Sequence, residues 1–260
     1  EIVPERALVP HAAHPVFTVA TAFPPDDRSL GYDRGAGVSP EWFTATTAAA
    51  VETADHVLDR LPELAGVTRD APDRESRLRE FAATFAARAF RRPLDESLRE
   101  LVVDRAFAGA ADPDTGFRRS LLAILGSPRF LFREPADADP FSTAARLSFG
   151  LWDSIPDEAL LTAASEGRLT TPAEIRGQAE RMTADRRTRA KLRDFLFAWL
   201  RVDLGPELVK DPTRYPEFNR DVAADLRTSL EILLEEVAVS SGDFRRLFTT
   251  EEVPLNGRLA

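Results

Sequence analysis

No cysteine occurs among the 260 residues. That excludes, within this chain, a disulfide framework, a thiolate metal site, a cysteine nucleophile and the thioether attachment of a c-type haem. Histidine is scarce, with His11, His14 and His56, and methionine occurs once, at Met182. Of the 34 basic residues only Lys191 and Lys210 are lysines, a skew that reads as coding composition and carries no function. No apolar run approaches the roughly 18 residues that a membrane-spanning helix requires. An excess of positive charge is missing as well. Against 43 Asp and Glu the net charge is −9 and the pI about 5.0, which argues against a general nucleic-acid binder. The strings G-x-x-x-x-G-K-[ST], G-x-G-x-x-G, G-x-S-x-G and H-E-x-x-H are all absent, so the standard nucleotide, hydrolase and zincin sites lack their signatures. The chain opens at Glu1 with neither a basic nor an apolar leader stretch, so any targeting peptide is expected to lie outside it.

What is present reads as helix from residue 39 onward. Before it, Pro4, Pro10, Pro15, Pro24 and Pro25 together with Gly31, Gly35 and Gly37 forbid a long helix and predict extended, looped chain. Ser39-Pro40 is a helix start, with Ser as N-cap and Pro at the first helical position, and that helix is expected to run to Leu61 and end at Pro62. Leu78, Phe81, Phe85 and Ala89 recur at helical spacing, as do Leu98, Leu101 and Val102, with a break at Arg91-Arg92-Pro93 and a cap at Asp95. Gly109 to Gly116 reads as a turn region, and Phe117 to Leu125 as a helix closed by Gly126 and Pro128. The Pro- and Asp-rich stretch Glu134 to Pro140 marks a domain boundary. Beyond it, Thr143 to Trp152 is a helix, Ser154-Ile155-Pro156-Asp157 has the form of a capping box, and Thr171-Pro172-Ala173-Glu174 is a second one. Two longer helices follow, with apolar faces at Leu192, Phe195, Leu196 and Trp199 and at Val222, Leu226, Leu230, Leu233 and Val237. The fold class is all-α: an irregular N-terminal segment plus first helix over residues 1–70, then helical domains over 71–134 and 135–260.

Three strings then stand out. They are Phe81-Ala-Ala-Thr-Phe85-Ala-Ala-Arg88-Ala-Phe90-Arg91-Arg92-Pro93-Leu94, Ser127-Pro128-Arg129-Phe130-Leu131, and Ala145-Arg146-Leu147-Ser148-Phe149-Gly150-Leu151-Trp152-Asp153-Ser154-Ile155-Pro156-Asp157. In this order the chain resembles the helical domains of unknown function that recur together in large planctomycete and myxobacterial cell-envelope proteins, often beside a planctomycete-type cytochrome c domain. Residues 26–58 resemble the tail of the preceding domain, 75–133 the "RAFRRPL" domain, and 140–260 the start of the "RLSxxLWxSxPD" domain. Val253 to Ala260 is similar to a segment that in those proteins lies inside the domain, so the chain is expected to be a fragment of something longer. No established catalytic residues come with the resemblance, so none is transferred.

Several residues invite chemistry and each has a plainer reading. His11 and His14 have a metal-pair spacing, but Pro10 and Pro15 bracket them, which predicts exposed loop histidines. Met182 could ligate a partner's haem, while gap-filling between helices is the expected role. Arg91, Arg92, Arg129 and Arg146 could clamp an anion; the expected role is structural, tying helix ends and pairing with acids such as Asp153 or Asp157. Asp153 and Asp157 could form a catalytic carboxylate pair but read as caps of the helix they precede. Trp152 and Trp199 are core candidates before they are stacking platforms. Arg186, Arg187, Arg189, Lys191 and Arg193 form the one basic cluster, able to dock an acidic partner or to line a solvated helix face.

The resemblance and the missing signatures together imply a structural or protein-interaction module of an exported, periplasmic or cell-envelope multidomain protein, working beside a c-type cytochrome. No cofactor is expected in this chain, and any haem is expected in a neighbouring domain or partner. The alternative is part of an oxidoreductase or hydrolase whose active site is completed by other segments, with Arg91, Arg129, Arg146, Asp153 and Asp157 lining a cleft.

Overall fold

A computed structural model describes residues 17–25, 38–132, 139–200, 210–237 and 243–260, and all regular structure among them is helical. His11, His14 and most of the boundary stretch at Glu134 to Pro140 lie outside the described residues. The chain divides into two compact units, Glu1–Pro135 and Ala136–Ala260.

In the first unit, α1 spans Pro40–Asp59, and the Ser39 hydroxyl accepts the Trp42 N–H as the sequence predicts. The expectation that Pro62 ends this helix is not met. The break falls at Arg60, outside helical geometry at φ −112°, and Pro62 sits in the first turn of a short α2, Leu61–Ala65. A proline is tolerated there because the first-turn N–H groups have no intrahelical acceptor to lose. Next come α3 (Arg74–Phe90) and α4 (Glu96–Arg99), which Asp95 caps by accepting the Leu98 N–H at 2.8 Å. Helix α4 runs through a π-helical turn, Glu100–Asp104, into α5, Arg105–Phe107. Helices α6 (Pro113–Leu125) and α7 (Pro128–Leu131) complete the unit. Its core joins Leu61, Leu78, Ala82, Ala86, Val103, Phe117, Leu121 and Ile124. The Val102 carbonyl in the π turn accepts from the buried Ser120 hydroxyl at 2.6 Å, so the widened turn carries no unsatisfied acceptor there.

Gly116 is not in a turn. Asp112 caps α6 by accepting the Thr115 N–H, so the helix starts ahead of the glycine and carries it into the core. There it faces Phe107: a Cβ on Gly116 would lie 2.6 Å from Phe107 Cδ1 and 3.1 Å from its Cα. The sequence needs glycine here for close approach, not for backbone freedom.

The second unit holds α8 (Pro140–Trp152), α9 (Glu158–Ser165), α10 (Pro172–Thr183), α11 (Arg186–Trp199), α12 (Arg220–Glu235) and α13 (Arg246–Thr249). The capping box at Thr171 and Glu174 is formed as the sequence predicts. The one expected at Ser154 is not: α9 starts three residues later, with the Asp157 carboxylate accepting the Leu160 N–H at 2.9 Å. Pro156 disfavours helical geometry at Ile155, which moves the start beyond the proline. One core cluster joins Ala144, Trp152, Leu160, Ala163, Leu169 and Met182, so Met182 fills a helix interface. A second, smaller cluster joins Leu196, Phe197 and Leu234, with Leu192, Leu230 and Leu247 against it.

On α11 the expected core face is corrected. Phe195 and Trp199 are 56% and 53% exposed and stack on each other at 6.3 Å, while Phe197 is buried beside Leu196. Leu226 on α12 is likewise exposed and Leu234 buried. An apolar stripe says that a helix has a greasy side; it does not say which part of a broad stripe meets the neighbour.

Gly116→Ala tests the close approach. Despite alanine's better helix propensity, overpacking against Phe107 should destabilise the chain by about 1–3 kcal/mol, read as a lower midpoint in denaturant unfolding. An unchanged midpoint would show that Phe107 can move aside.

Candidate functional site

Arg91 closes α3 in the left-handed conformation, φ 61°, a position usually taken by glycine. For an arginine that geometry costs about 1–2 kcal/mol. Its guanidinium supplies the compensation. The residue is only 6% exposed, and Nη1 donates to the carbonyls of Ala89 at 3.1 Å and Phe130 at 3.5 Å. Nη2 donates to Phe132 at 3.0 Å and to Arg129. One fixed fork of donors therefore satisfies the otherwise unpaired carbonyls around α7. Arg92 follows half-buried, and its N–H returns to the Ala87 carbonyl at 3.1 Å. Arg129 contributes its carbonyl to Arg91 and its charge to Asp95, whose carboxyl is held below its ordinary range by the Leu98 N–H first, then the Ser97 hydroxyl, with Arg129 a weaker influence.

In the second unit the candidates separate. Arg146 is exposed on α8. Asp153 ends α8 in left-handed geometry, φ 53°, and its exposed carboxylate pairs with Lys191 at 3.1 Å. Asp157 takes a two-pronged bond from Arg181, at 2.8 and 3.1 Å, besides capping α9. These two acids are thus paired with Lys191 and Arg181, two cations that sequence reasoning did not offer as their partners.

Trp152 is the centre of this group. It is 4% exposed, its indole N–H donates to the Met182 carbonyl at 3.0 Å, and the Arg187 guanidinium lies over its ring at 3.4 Å, with Arg181 at 5.5 Å. Arg187 in turn is gripped by Asp185, at 3.0 and 2.8 Å, which also caps α11 through the Arg187 N–H. Two arginines, two aspartates and one indole so join the ends of α8, α9, α10 and α11. Sequence reasoning found Trp152, Asp157 and Arg187 but missed Arg181 and Asp185. Asp185 carries a readable signal, an acid immediately before an arginine-rich helix start; Arg181 carries none.

The electrostatics follow. Burial pushes the Asp157 carboxyl up, but the Arg181 bonds, the Leu160 N–H and the charges of Arg181 and Arg187 outweigh it and hold the group below its ordinary range. The Arg187 hydrogen bond, resisted by burial, lowers Asp185 to about 2. Both carboxylates stay ionised near neutral pH, the wrong direction for a proton donor. Four residues of the basic cluster are paired with acids as well: Arg189 with Glu235 at 3.6 Å and Arg193 with Asp194 at 3.5 Å, besides Arg187 with Asp185 and Lys191 with Asp153. Among the described residues no group of three or more His, Asp or Glu could hold a metal ion, and no helix is long and apolar enough to cross a membrane.

Two outcomes test these assignments. Arg91→Ala should destabilise the first unit by about 1–3 kcal/mol, the cost of leaving buried carbonyls unsatisfied. Arg91→Gly should cost roughly 1 kcal/mol less, because glycine accepts the left-handed geometry; equal losses in chemical denaturation would disprove the strain. For Asp185, whose folded value of about 2 lies below the ordinary 3.8, the stabilisation is complete above pH 4 and is lost as pH falls toward 2. Asp185→Asn should flatten that acid limb in pH-dependent unfolding, and an unchanged limb would remove Asp185 from the account.

Residues 77–134 match the family described as PSD5, protein of unknown function (DUF1595), and residues 139–260 match PSD4, protein of unknown function (DUF1592). No curated protein and no solved structure matches the chain. The two matched stretches follow one another along the chain, and each is similar to a family whose function is unknown.

Proposed function

We propose that this chain is a structural and protein-interaction module of an exported, multidomain cell-envelope protein, and that it works beside a c-type cytochrome. The reading is carried by one contrast in the second unit. The charged candidates Asp153, Asp157, Asp185, Arg181 and Arg187 are engaged with one another and with helix ends, whereas Phe195, Trp199 and Leu200 at the end of α11 face solvent. Groups tied up in this way are poorly placed to exchange protons with a substrate, while large exposed aromatics are characteristic of protein-binding surfaces. The envelope setting and the cytochrome partner draw their support from the strings around Arg91, Arg129 and Trp152 and their likeness to domains found in such proteins. Haem chemistry then belongs to the partner, consistent with a chain that has no cysteine.

Calorimetric titration of the chain with a purified planctomycete-type cytochrome c domain at low salt tests the reading. Binding is expected, and the double variant Phe195→Ala, Trp199→Ala should weaken it by tenfold or more, as for truncation of interface anchors. Absence of binding at low salt would overturn the cytochrome role.

A further inference from the structure

The segment 17–25, Phe-Thr-Val-Ala-Thr-Ala-Phe-Pro-Pro, bears no charge and is neither helix nor strand. Among the described residues, both of its hydrogen bonds to the rest of the chain end on a single carboxylate. The Ala20 N–H donates to Glu52 Oε2 at 2.7 Å, and the Thr21 hydroxyl donates to Glu52 Oε1. One helical turn further along α1, the His56 ring stacks on Phe17 with centroids 4.1 Å apart and planes 15° from parallel. The segment therefore runs antiparallel to α1 over two neighbouring positions of one helix stripe, with Phe17 on His56 and Ala20-Thr21 on Glu52.

These contacts amount to a recognition pattern. A carboxylate with two oxygens accepts a main-chain N–H and the hydroxyl of the next residue together, which selects a free main-chain N–H followed by a Ser or Thr. An imidazole face selects an aromatic ring four residues ahead of that hydroxyl. Between these anchors Thr18 and Ala20 are exposed, and only Val19 is half-buried, so the intervening side chains are not read. Acidic segments are disfavoured, because Glu52 is followed on α1 by Asp55 and Asp59 and, among the described residues, only Asp55 has a cation against it, Arg118 of α6 at 2.8 Å. So few contacts make a segment that exchanges readily.

We propose that the Glu52–His56 edge of α1 is a docking site for an uncharged peptide segment with an aromatic residue four positions before a Ser or Thr, and that residues 17–25 are its intramolecular occupant. A partner segment of that pattern displaces them. This surface lies in the first unit and is independent of the α11 face, so the two readings stand or fall separately.

The test uses the full chain and a synthetic peptide with the sequence of residues 17–25, following hydrogen exchange at the Ala20 amide by NMR. A tethered occupant competes at an effective concentration in the millimolar range, so the peptide is added at about 5 mM. Severalfold faster exchange is expected with this peptide and none with one carrying valine at its fifth position. Glu52→Gln should accelerate Ala20 exchange roughly tenfold without peptide, the equivalent of weakening one charge-assisted bond, with circular dichroism confirming that α1 remains helical; Thr21→Val tests the same bond from the segment's side. Unchanged exchange in both variants would remove the latch. Faster exchange in the variants but none with the peptide would overturn the docking site.

Discussion

Every helix leaves its first N–H groups and its last carbonyls without partners, and in a chain built of many short helices that demand governs where the polar side chains go. Ser39, Asp95, Asp112, Asp139, Asp157, Thr171, Asp185 and Asn219 all accept backbone N–H groups at helix starts. Carbonyl ends are harder to serve, because few side chains carry several donors. Arg91 does so with one guanidinium, and its left-handed backbone is the geometry that turns the side chain toward α7. Much of what looks like a reactive constellation in the sequence is this demand being met.

The second unit shows the same economy carried further. Asp157 and Asp185 begin as caps and then each grips an arginine; those arginines flank the indole of Trp152, which itself donates to the last turn of α10. Each group does two things, so removing one would leave the others both unpaired and misplaced, and their effects should not add. The α11–α12 end is joined more sparsely among the described residues, by Arg189 with Glu235 at 3.6 Å and by Arg227 over the Phe197 ring at 5.3 Å. Its fully buried cluster is three residues, and aromatic surface stays exposed beside it. The paired charges gather where α8 to α11 meet, and the exposed aromatic surface of Phe195 and Trp199 lies apart from them.

Legibility in the sequence followed the range of the interaction. Ser39-Pro40, Asp95 and the Thr171–Glu174 box were readable because each cap is made within three or four residues. Pro62, Gly116 and Ser154 misled for a related reason: each is a breaker or cap by type, and the outcome depended on neighbours. Pro62 fell into a first turn, Gly116 was drawn into the core by the Asp112 cap and Phe107, and Pro156 passed the cap from Ser154 to Asp157. Phe195 and Phe197 are two residues apart on one amphipathic helix, and only the position of α12 decides which is buried.

What the sequence by itself determined is the helical class, most helix starts and the lack of thiol chemistry, since all of these rest on local periodicity, capping and composition. Only the tertiary structure decided that Arg91 serves carbonyls some forty residues away, that Asp153 and Asp157 pair with Lys191 and Arg181, and that Glu52 holds a segment over thirty residues before it. Ion pairs and hydrogen bonds act over a few ångströms, and which charges come that close is set by how the helices pack, a property that no spacing along the chain encodes.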